Sequence, residues 1–112
     1  MRLRYLICLA IFGLLFGGMY PSLAQSPVRF VQQGRVGYLL NGEILVNPKY
    51  EAGSEFINGM AIVIRDQKRG YLDSTGEEVI ATQYEDATPF RDGMACVKFA
   101  GKYGYINTKG EW

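Results

Sequence analysis

The sequence contains no histidine. That absence excludes Ser-His-Asp and Cys-His nucleophile activation, the commonest general base, and the imidazole ligands on which nearly all catalytic zinc sites depend. Neither the phosphate-binding pattern G-x-x-x-x-G-K-[ST] nor the dinucleotide-binding pattern G-x-G-x-x-G occurs. The sequence therefore predicts no catalytic residue, no cofactor and no metal site, with carboxylate chemistry and a calcium loop as the alternatives left open.

Cysteine is almost as scarce. Cys8 lies inside an apolar N-terminal run, so that Cys96 is the one cysteine in the rest of the chain and no intramolecular disulfide is available there. Small exported domains often rely on disulfides, and this one must fold without them. Cys96 aligns with Ile62 in an internal repeat, so we expect it to pack in the core as a small apolar residue. The alternatives are a reactive thiol and a disulfide to another chain.

The N-terminal residues have the composition of a signal peptide. Arg2 and Arg4 precede an apolar run over residues 5–20, and Ser22 and Ala24 place small side chains at the positions that signal peptidase reads. We predict a signal-peptide helix over residues 1–24, with cleavage after Ala24 and export to the periplasm, the outer surface or the medium. The alternative is an uncleaved anchor, which requires about 20 apolar residues. Membrane contact is expected only through the transient signal peptide.

Charge gives no indication of a nucleic-acid partner. Residues 25–112 carry ten basic and eleven acidic side chains, so the mature chain is close to neutral. Proteins that bind nucleic acids usually carry a basic stripe. The densest basic stretch, Arg65–Arg69, is interrupted by Asp66 and lies where we expect a hairpin turn. The sequence therefore predicts no nucleic-acid binding.

The chain repeats itself with a period of about 34 residues, which is typical of tandem structural copies. A shift of 34 or 33 residues superimposes three pairs of segments: Phe56–Val63 on Phe90–Val97, Arg69–Glu77 on Tyr103–Glu111, and Val36–Leu39 on Arg69–Leu72. We place copy one at about residues 28–59, copy two at about 60–93 and an incomplete copy three at about 94–112. Together these copies form one repeat domain over residues 25–112.

Each copy has the pattern of a β-meander. Short runs of β-branched and aromatic residues alternate with Gly-containing turns, and such tight connections join antiparallel neighbours. We therefore predict an all-β chain of antiparallel three-strand units, about eight strands in all, arranged as an open repeat array. A solenoid, an open meander and a partial propeller all accept such a unit. The one segment in which we allow a short helix is Tyr84–Ala87.

The repeated motif is G-[KR]-x-G-[YW]-[IL]-[DN]-x-x-G-[EK]-x-[VI]-I, followed by a Tyr, a Phe and G-[ML]-A-x-V. From about Val28 to Trp112 it resembles the bacterial WG-repeat family, named for a Trp-Gly dipeptide in each copy. The glycine of the dipeptide is kept in every copy, but the tryptophan is replaced by Val36, Arg69 and Tyr103. The resemblance implies a tandem, β-rich and often exported architecture, and says little about activity.

Acidic residues offer the remaining route to catalysis or metal binding. Adjacent strand residues point to opposite faces, so Glu77 and Glu78 cannot easily share a site, and the Glu85-Asp86 pair lies in a polar linking segment. We expect these carboxylates to be solvated, with a carboxylate-dependent hydrolase as the alternative. Asp73 and Asp92 do not resemble an EF-hand loop.

A recurring tyrosine is the best candidate for a binding residue. It follows the recurring glycine of each copy and, by strand alternation, faces outward if its apolar neighbour faces inward. Exposed aromatic rings with a polar tip are common at interfaces, so we predict a ligand or partner surface made of Tyr38, Tyr71, Tyr105 and Trp112. The alternative is that the tyrosine rings pack between successive copies as a second core.

These observations predict an exported, non-catalytic module that binds a protein or an envelope polysaccharide. The alternative is a structural or adhesion spacer taken from a longer array. Copy three lacks its third strand, so we expect Tyr103–Asn107 to form an unpaired edge, and unpaired edges favour association with another chain. Either the array is truncated at Trp112, or self-association or another partner completes this C-terminal edge.

Export can be tested at the N-terminus. Mass spectrometry of the native protein should find Gln25 as its first residue, free or cyclised, because the expected cleavage follows Ala24. An intact Met1 start would contradict the prediction.

Overall fold

The computed structural model describes residues 26–112, which fold into antiparallel strands without a helix. The predicted all-β class is confirmed for this part of the chain, and the signal peptide lies outside the described residues. The ten strands are β1 (Val28–Gln32), β2 (Arg35–Leu40), β3 (Glu43–Tyr50), β4 (Ala52–Gly53), β5 (Met60–Arg65), β6 (Lys68–Asp73), β7 (Glu78–Tyr84), β8 (Asp86–Ala87), β9 (Met94–Phe99) and β10 (Lys102–Asn107).

The strands form three successive sheets with the orders β1-β2-β3, β4-β5-β6-β7 and β8-β9-β10. The three-strand meander is present in the first two sheets, as predicted. We call residues 51–59 and 85–93 the linking segments. Each of them contributes a two-residue strand to the sheet that follows it, because β4 pairs with β5 and β8 pairs with β9.

The helix allowed at Tyr84–Ala87 is wrong. Tyr84 ends β7 and Asp86–Ala87 forms β8. The Glu85 and Thr88 N–H groups donate hydrogen bonds to the carbonyl oxygens of Lys98 and Cys96, at 2.8 and 2.9 Å respectively. This extended pairing with a strand about ten residues further along the chain overrides the local preference of the segment.

Tight turns hold the hairpins in register. The β5–β6 turn has positive φ at both Asp66 (54°) and Gln67 (64°), as the type I′ turn of a two-residue hairpin requires. The Glu51 carboxylate accepts hydrogen bonds from both backbone N–H groups, at 2.7 and 3.2 Å. The basic stretch at residues 65–69 is therefore a hairpin turn, as predicted, and its strained residues are held by the preceding linking segment.

Two apolar clusters lie between the sheets, and the middle sheet contributes to both because alternate strand residues face opposite sides. Along β5, Ala61 and Val63 face the first sheet, whereas Met60 and Ile62 face the third. The cluster between the first and second sheets contains Val36, Tyr38, Val46, Tyr50, Ala61, Val63 and Leu72. The cluster between the second and third contains Met60, Tyr71, Ile80, Tyr84, Phe90, Ala95, Val97 and Ile106.

In the first two copies, the glycine of the repeated motif lies beneath a bulged strand. The pairing of β6 with β7 shifts register on either side of Tyr71, which brings the β7 backbone close to Gly70. A Cβ atom at Gly70 would lie 2.5 Å from the Ile80 carbonyl oxygen and 2.7 Å from the Thr82 nitrogen. Gly37 lies under β3 in the same way. Backbone clearance therefore explains Gly37 and Gly70.

Replacing Gly70 tests whether the β7 backbone lies too close for a side chain. Gly70→Ala should lower the free energy of unfolding by about 2–3 kcal/mol, because the new methyl group displaces backbone that cannot move freely. Gly104→Ala is the matched control. Its Cβ would meet the exposed ring of Trp112 at 2.6 Å, and a side chain can rotate away. Denaturant unfolding of both variants measures the difference, and equal losses would contradict this explanation.

A charged cluster joins the first two sheets at their edge. The hydroxyl of Tyr50 donates to Glu78 Oε1 at 2.6 Å, and Arg65 forms an ion pair with the same oxygen. The Arg65 guanidinium also lies 5.1 Å from the centre of the Tyr50 ring. Burial acts to raise the pKa of Glu78, but the hydrogen bonds from Tyr50 and Arg65 outweigh it and hold that pKa below its usual range. The folded chain thus favours the ionised carboxylate.

This cluster predicts a loss of stability in acid. Since the pKa of Glu78 is lower in the folded than in the unfolded chain, its contribution is present above pH 4.5, the ordinary value, and is lost as the pH falls through the folded pKa. Glu78→Gln should reduce the dependence of the unfolding free energy on pH between about 5 and 3. Glu77→Gln, at the exposed neighbour, is the control. Equal acid sensitivity in both variants would contradict the assignment.

Candidate functional site

Tyr38 and Tyr71 are both fully buried, with 0% of their surface exposed. The prediction that they face solvent is wrong, and the alternative that they pack between copies is correct for these two residues. Strand alternation correctly separates them from their neighbours Leu39 and Leu72. The face on which they lie is nevertheless covered, because the next sheet packs against it.

Each buried tyrosine contacts the linking segment that follows its sheet. The hydroxyl of Tyr38 donates to the Ser54 carbonyl at 2.7 Å, and its ring lies edge-to-face against Phe56 with centres 5.2 Å apart. The hydroxyl of Tyr71 donates in the same way to Thr88, at 2.7 Å. Its ring meets Phe90 at 4.7 Å. In both interfaces the tyrosine thus holds a carbonyl and the aromatic ring two residues after it, an arrangement we call the tyrosine–link contact.

The hydroxyl groups of these two tyrosines are held as neutral donors. Burial raises the pKa of Tyr38 to about 12, and burial likewise raises the pKa of Tyr71. Both therefore keep their proton, and the hydrogen bond to the linking segment, throughout the neutral and mildly alkaline range.

Tyr105 occupies the same position in the third sheet, but 62% of its surface is exposed. It lines an open groove of about 580 Å³, which we call the Tyr105 groove. Its lining residues include Phe90, Arg91, Asp92, Met94, Cys96 and Tyr105. The groove is thus the third-sheet equivalent of the surface that the linking segments fill at Tyr38 and Tyr71.

Cys96 is half-buried rather than buried. It lies directly opposite Tyr105 in the β9–β10 pair, and its N–H donates to Thr88 Oγ1 at 3.0 Å. Its counterpart Ile62 packs against the cluster between the second and third sheets. The prediction that Cys96 packs in the core is therefore wrong: it aligns with a core position of the repeat, but within the described residues no sheet covers this face of β9.

The fourth predicted residue, Trp112, lies apart from the groove in an exposed aromatic cluster. Its ring covers Gly104 and lies edge-to-face against Tyr84, with centres 6.3 Å apart. Phe99 completes the cluster at 6.4 Å from Trp112 and 6.1 Å from Tyr84. Tyr84 is buried, whereas 68% of Trp112 and 45% of Phe99 are exposed. We call Tyr84, Phe99 and Trp112 the aromatic cluster.

The aromatic cluster stands where the preceding interface has its charged cluster. A shift of 34 residues places Tyr50 on Tyr84, Arg65 on Phe99, and Glu78 on Trp112. The tyrosine thus contacts an ion pair between the first and second sheets, and it contacts two aromatic rings at the equivalent place in the third sheet. Sequence reasoning selected Trp112 but missed Phe99, although comparing equivalent positions outside the repeated motif would have found both.

The candidate carboxylates serve structural contacts. The Asp73 side chain accepts hydrogen bonds from Thr75 and from the Glu77 N–H, which closes the β6–β7 turn. Glu85 accepts a hydrogen bond from the Gly101 N–H, at 3.3 Å. Residues 26–112 contain no group of three acidic or cysteine side chains placed to hold a metal ion. In the same range, no helix has the length and apolar character needed to cross a membrane.

Comparison with known proteins agrees with the repeat geometry. The family model described as WG containing repeat matches residues 40–68 and 70–103, together more than half of the chain. No curated protein and no solved structure matches. The two matched segments cover the three strands and the linking segment that recur in the structure, and the chain therefore belongs to the WG-repeat family of tandem β-repeat modules.

Proposed function

We propose that this chain is an exported, non-catalytic binding module of the cell envelope and that the third sheet is its binding surface. The observation that supports this proposal is the difference between equivalent tyrosines: Tyr71 is fully buried by its neighbours, whereas 62% of Tyr105 is exposed. Contiguous exposed apolar surface commonly marks an interaction site. On the third sheet such surface is present both in the Tyr105 groove and in the aromatic cluster.

A protein is the partner that the groove fits best. Phe90, Met94 and Cys96 give it apolar walls, and the Tyr105 hydroxyl supplies a polar group that fixes orientation. The equivalent surfaces at Tyr38 and Tyr71 already bind polypeptide, namely the linking segments. The same side chains in the same sheet geometry are therefore suited to a polypeptide from a partner.

An envelope polysaccharide is the second candidate, and the aromatic cluster supports it. Trp112 and Phe99 expose much of their rings, and aromatic rings at the surface can stack against the apolar faces of sugars. The cluster and the groove lie on different parts of the third sheet, so substitutions can separate the two candidates. A spacer, the remaining alternative, would bind nothing at either place. Glu78 is bound by Tyr50 and Arg65, so it does not support the hydrolase alternative.

Retention on an isolated envelope fraction tests the proposal. The native protein should sediment with the fraction, and Tyr105→Ala should reduce the retained amount at least about fivefold, because the exposed ring contributes contact area and a hydrogen bond. Ile44→Ala, which removes an exposed apolar side chain from the first sheet, is the control and should change nothing.

Two further experiments distinguish a protein partner from a polysaccharide. Proteolysis of the envelope fraction before mixing should abolish retention if the partner is a protein. Retention that survives proteolysis and is lost in Trp112→Ala would favour the polysaccharide instead. Absence of retention, or equal retention of the native chain and all three variants, would contradict binding through the third sheet and would favour the spacer.

A further inference from the structure

We infer that the Tyr105 groove binds the linking segment of a WG copy supplied by another protein chain. The bound segment is extended, and it carries an aromatic residue two positions after the carbonyl that accepts the Tyr105 hydrogen bond. This inference rests on the proposed function, since it requires a protein partner at the third sheet, and it specifies the chemistry of that partner.

The two tyrosine–link contacts define what the groove is shaped to hold. Ser54 and Thr88 each offer a carbonyl to a tyrosine hydroxyl at 2.7 Å. Phe56 and Phe90 each follow two residues later and place a ring edge-to-face on the same tyrosine. The same arrangement thus occurs at two independent interfaces of one chain, although the residues around it differ.

The groove walls keep the residue types of the occupied interface. Met94 corresponds to Met60 and Cys96 to Ile62, and both pairs lie opposite the same positions of the neighbouring strand. Met60 is 9% exposed where the third sheet covers it, whereas Met94 is 50% exposed. An aromatic side chain that enters the groove would therefore meet apolar walls like those that surround Phe90.

Several wall residues differ, among them Arg91 in place of Ile57 and Asp92 in place of Asn58. Asp92 gives the groove its own preference. In the occupied interface Asn58 Nδ2 donates to the Phe90 carbonyl at 2.8 Å. The equivalent residue in the groove is Asp92, and an ionised carboxylate has no proton to donate. A linking segment of this chain would therefore place a carbonyl against a carboxylate. A better partner brings a free N–H to this position, whereas the positive charge of Arg91, which also lines the groove, gives no advantage to a basic side chain.

Asp92→Asn restores the missing donor without a backbone penalty. Asn58 and Asp92 both have a φ of 53°, a conformation that asparagine adopts more readily than most residues. The substitution is thus expected to strengthen the binding of a linking segment. A gain of this kind is hard to obtain from non-specific apolar contact.

The test uses a peptide of this chain's own linking segment, residues 85–93 (EDATPFRDG), with blocked termini. Titration into the isotopically labelled native protein should shift the backbone amide signals of Met94, Cys96 and Tyr105. Tyr105→Phe should weaken the affinity about threefold to tenfold, the usual effect of one lost neutral hydrogen bond. Asp92→Asn should tighten it by a similar factor. Ile44→Ala, at an exposed apolar residue of the first sheet, is the control and should leave the affinity unchanged.

A second peptide, with Phe90 of the segment replaced by alanine, should not bind. The rate at which a thiol reagent modifies Cys96, followed by peptide mapping, gives an independent readout, because the bound segment should protect the groove. The inference is overturned if the amide signals do not move, if both peptides bind equally, or if Asp92→Asn leaves the affinity unchanged. If the peptide fails while envelope retention still depends on Tyr105, the proposed function stands and only this inference is lost.

Discussion

The stacking of the sheets depends on one hydrogen bond, from a buried tyrosine hydroxyl to the carbonyl of the following linking segment. A hydroxyl buried without a partner would be costly, so the linking segment must lie where it can accept the bond. At Tyr38 and at Tyr71 this requirement fixes the segment, and the segment in turn places its phenylalanine on the same ring. Each sheet is therefore positioned by its nearest neighbour, which is the usual logic of a repeat array.

The space around the glycine of the repeat restricts the residue type more strictly than the space around the residue before it. Gly37 and Gly70 lie directly beneath backbone atoms of a bulged strand, and no side chain fits there. The residue before this glycine has no common environment in the different copies. Val36 is buried in the core, and Arg69 donates to the carbonyl of Glu85. For the first two copies, this contrast explains in physical terms why the tryptophan that names the family can be replaced while the glycine stays.

The repeat, the strands and most turns could be read from the sequence because they depend on local chemistry and on self-similarity. The burial of Tyr38 and Tyr71 could not be predicted from the sequence. Alternation distinguishes the two faces of a strand but does not indicate which of them another sheet covers. In the middle sheet both Tyr71 and Leu72 are buried, whereas in the first sheet the covered face is that of Tyr38 rather than that of Leu39. The extended conformation of Asp86–Ala87 also escaped local reasoning, because it depends on pairing with β9. The aromatic cluster lies outside the repeated motif, where only a comparison of equivalent positions reveals it.

Because of the short strands β4 and β8, the segment that repeats in the sequence and the segment that forms one sheet have different boundaries. A copy defined by its motif ends with a linking segment, yet that segment is hydrogen-bonded into the sheet of the next copy. Copies exchanged between such proteins at the motif boundary near Met60 would pair the sheet of one protein with the edge strand of another. A junction at Glu51 keeps the linking segment with the sheet that it completes. Recombination of these modules is therefore expected to succeed at the start of the linking segment rather than at its end.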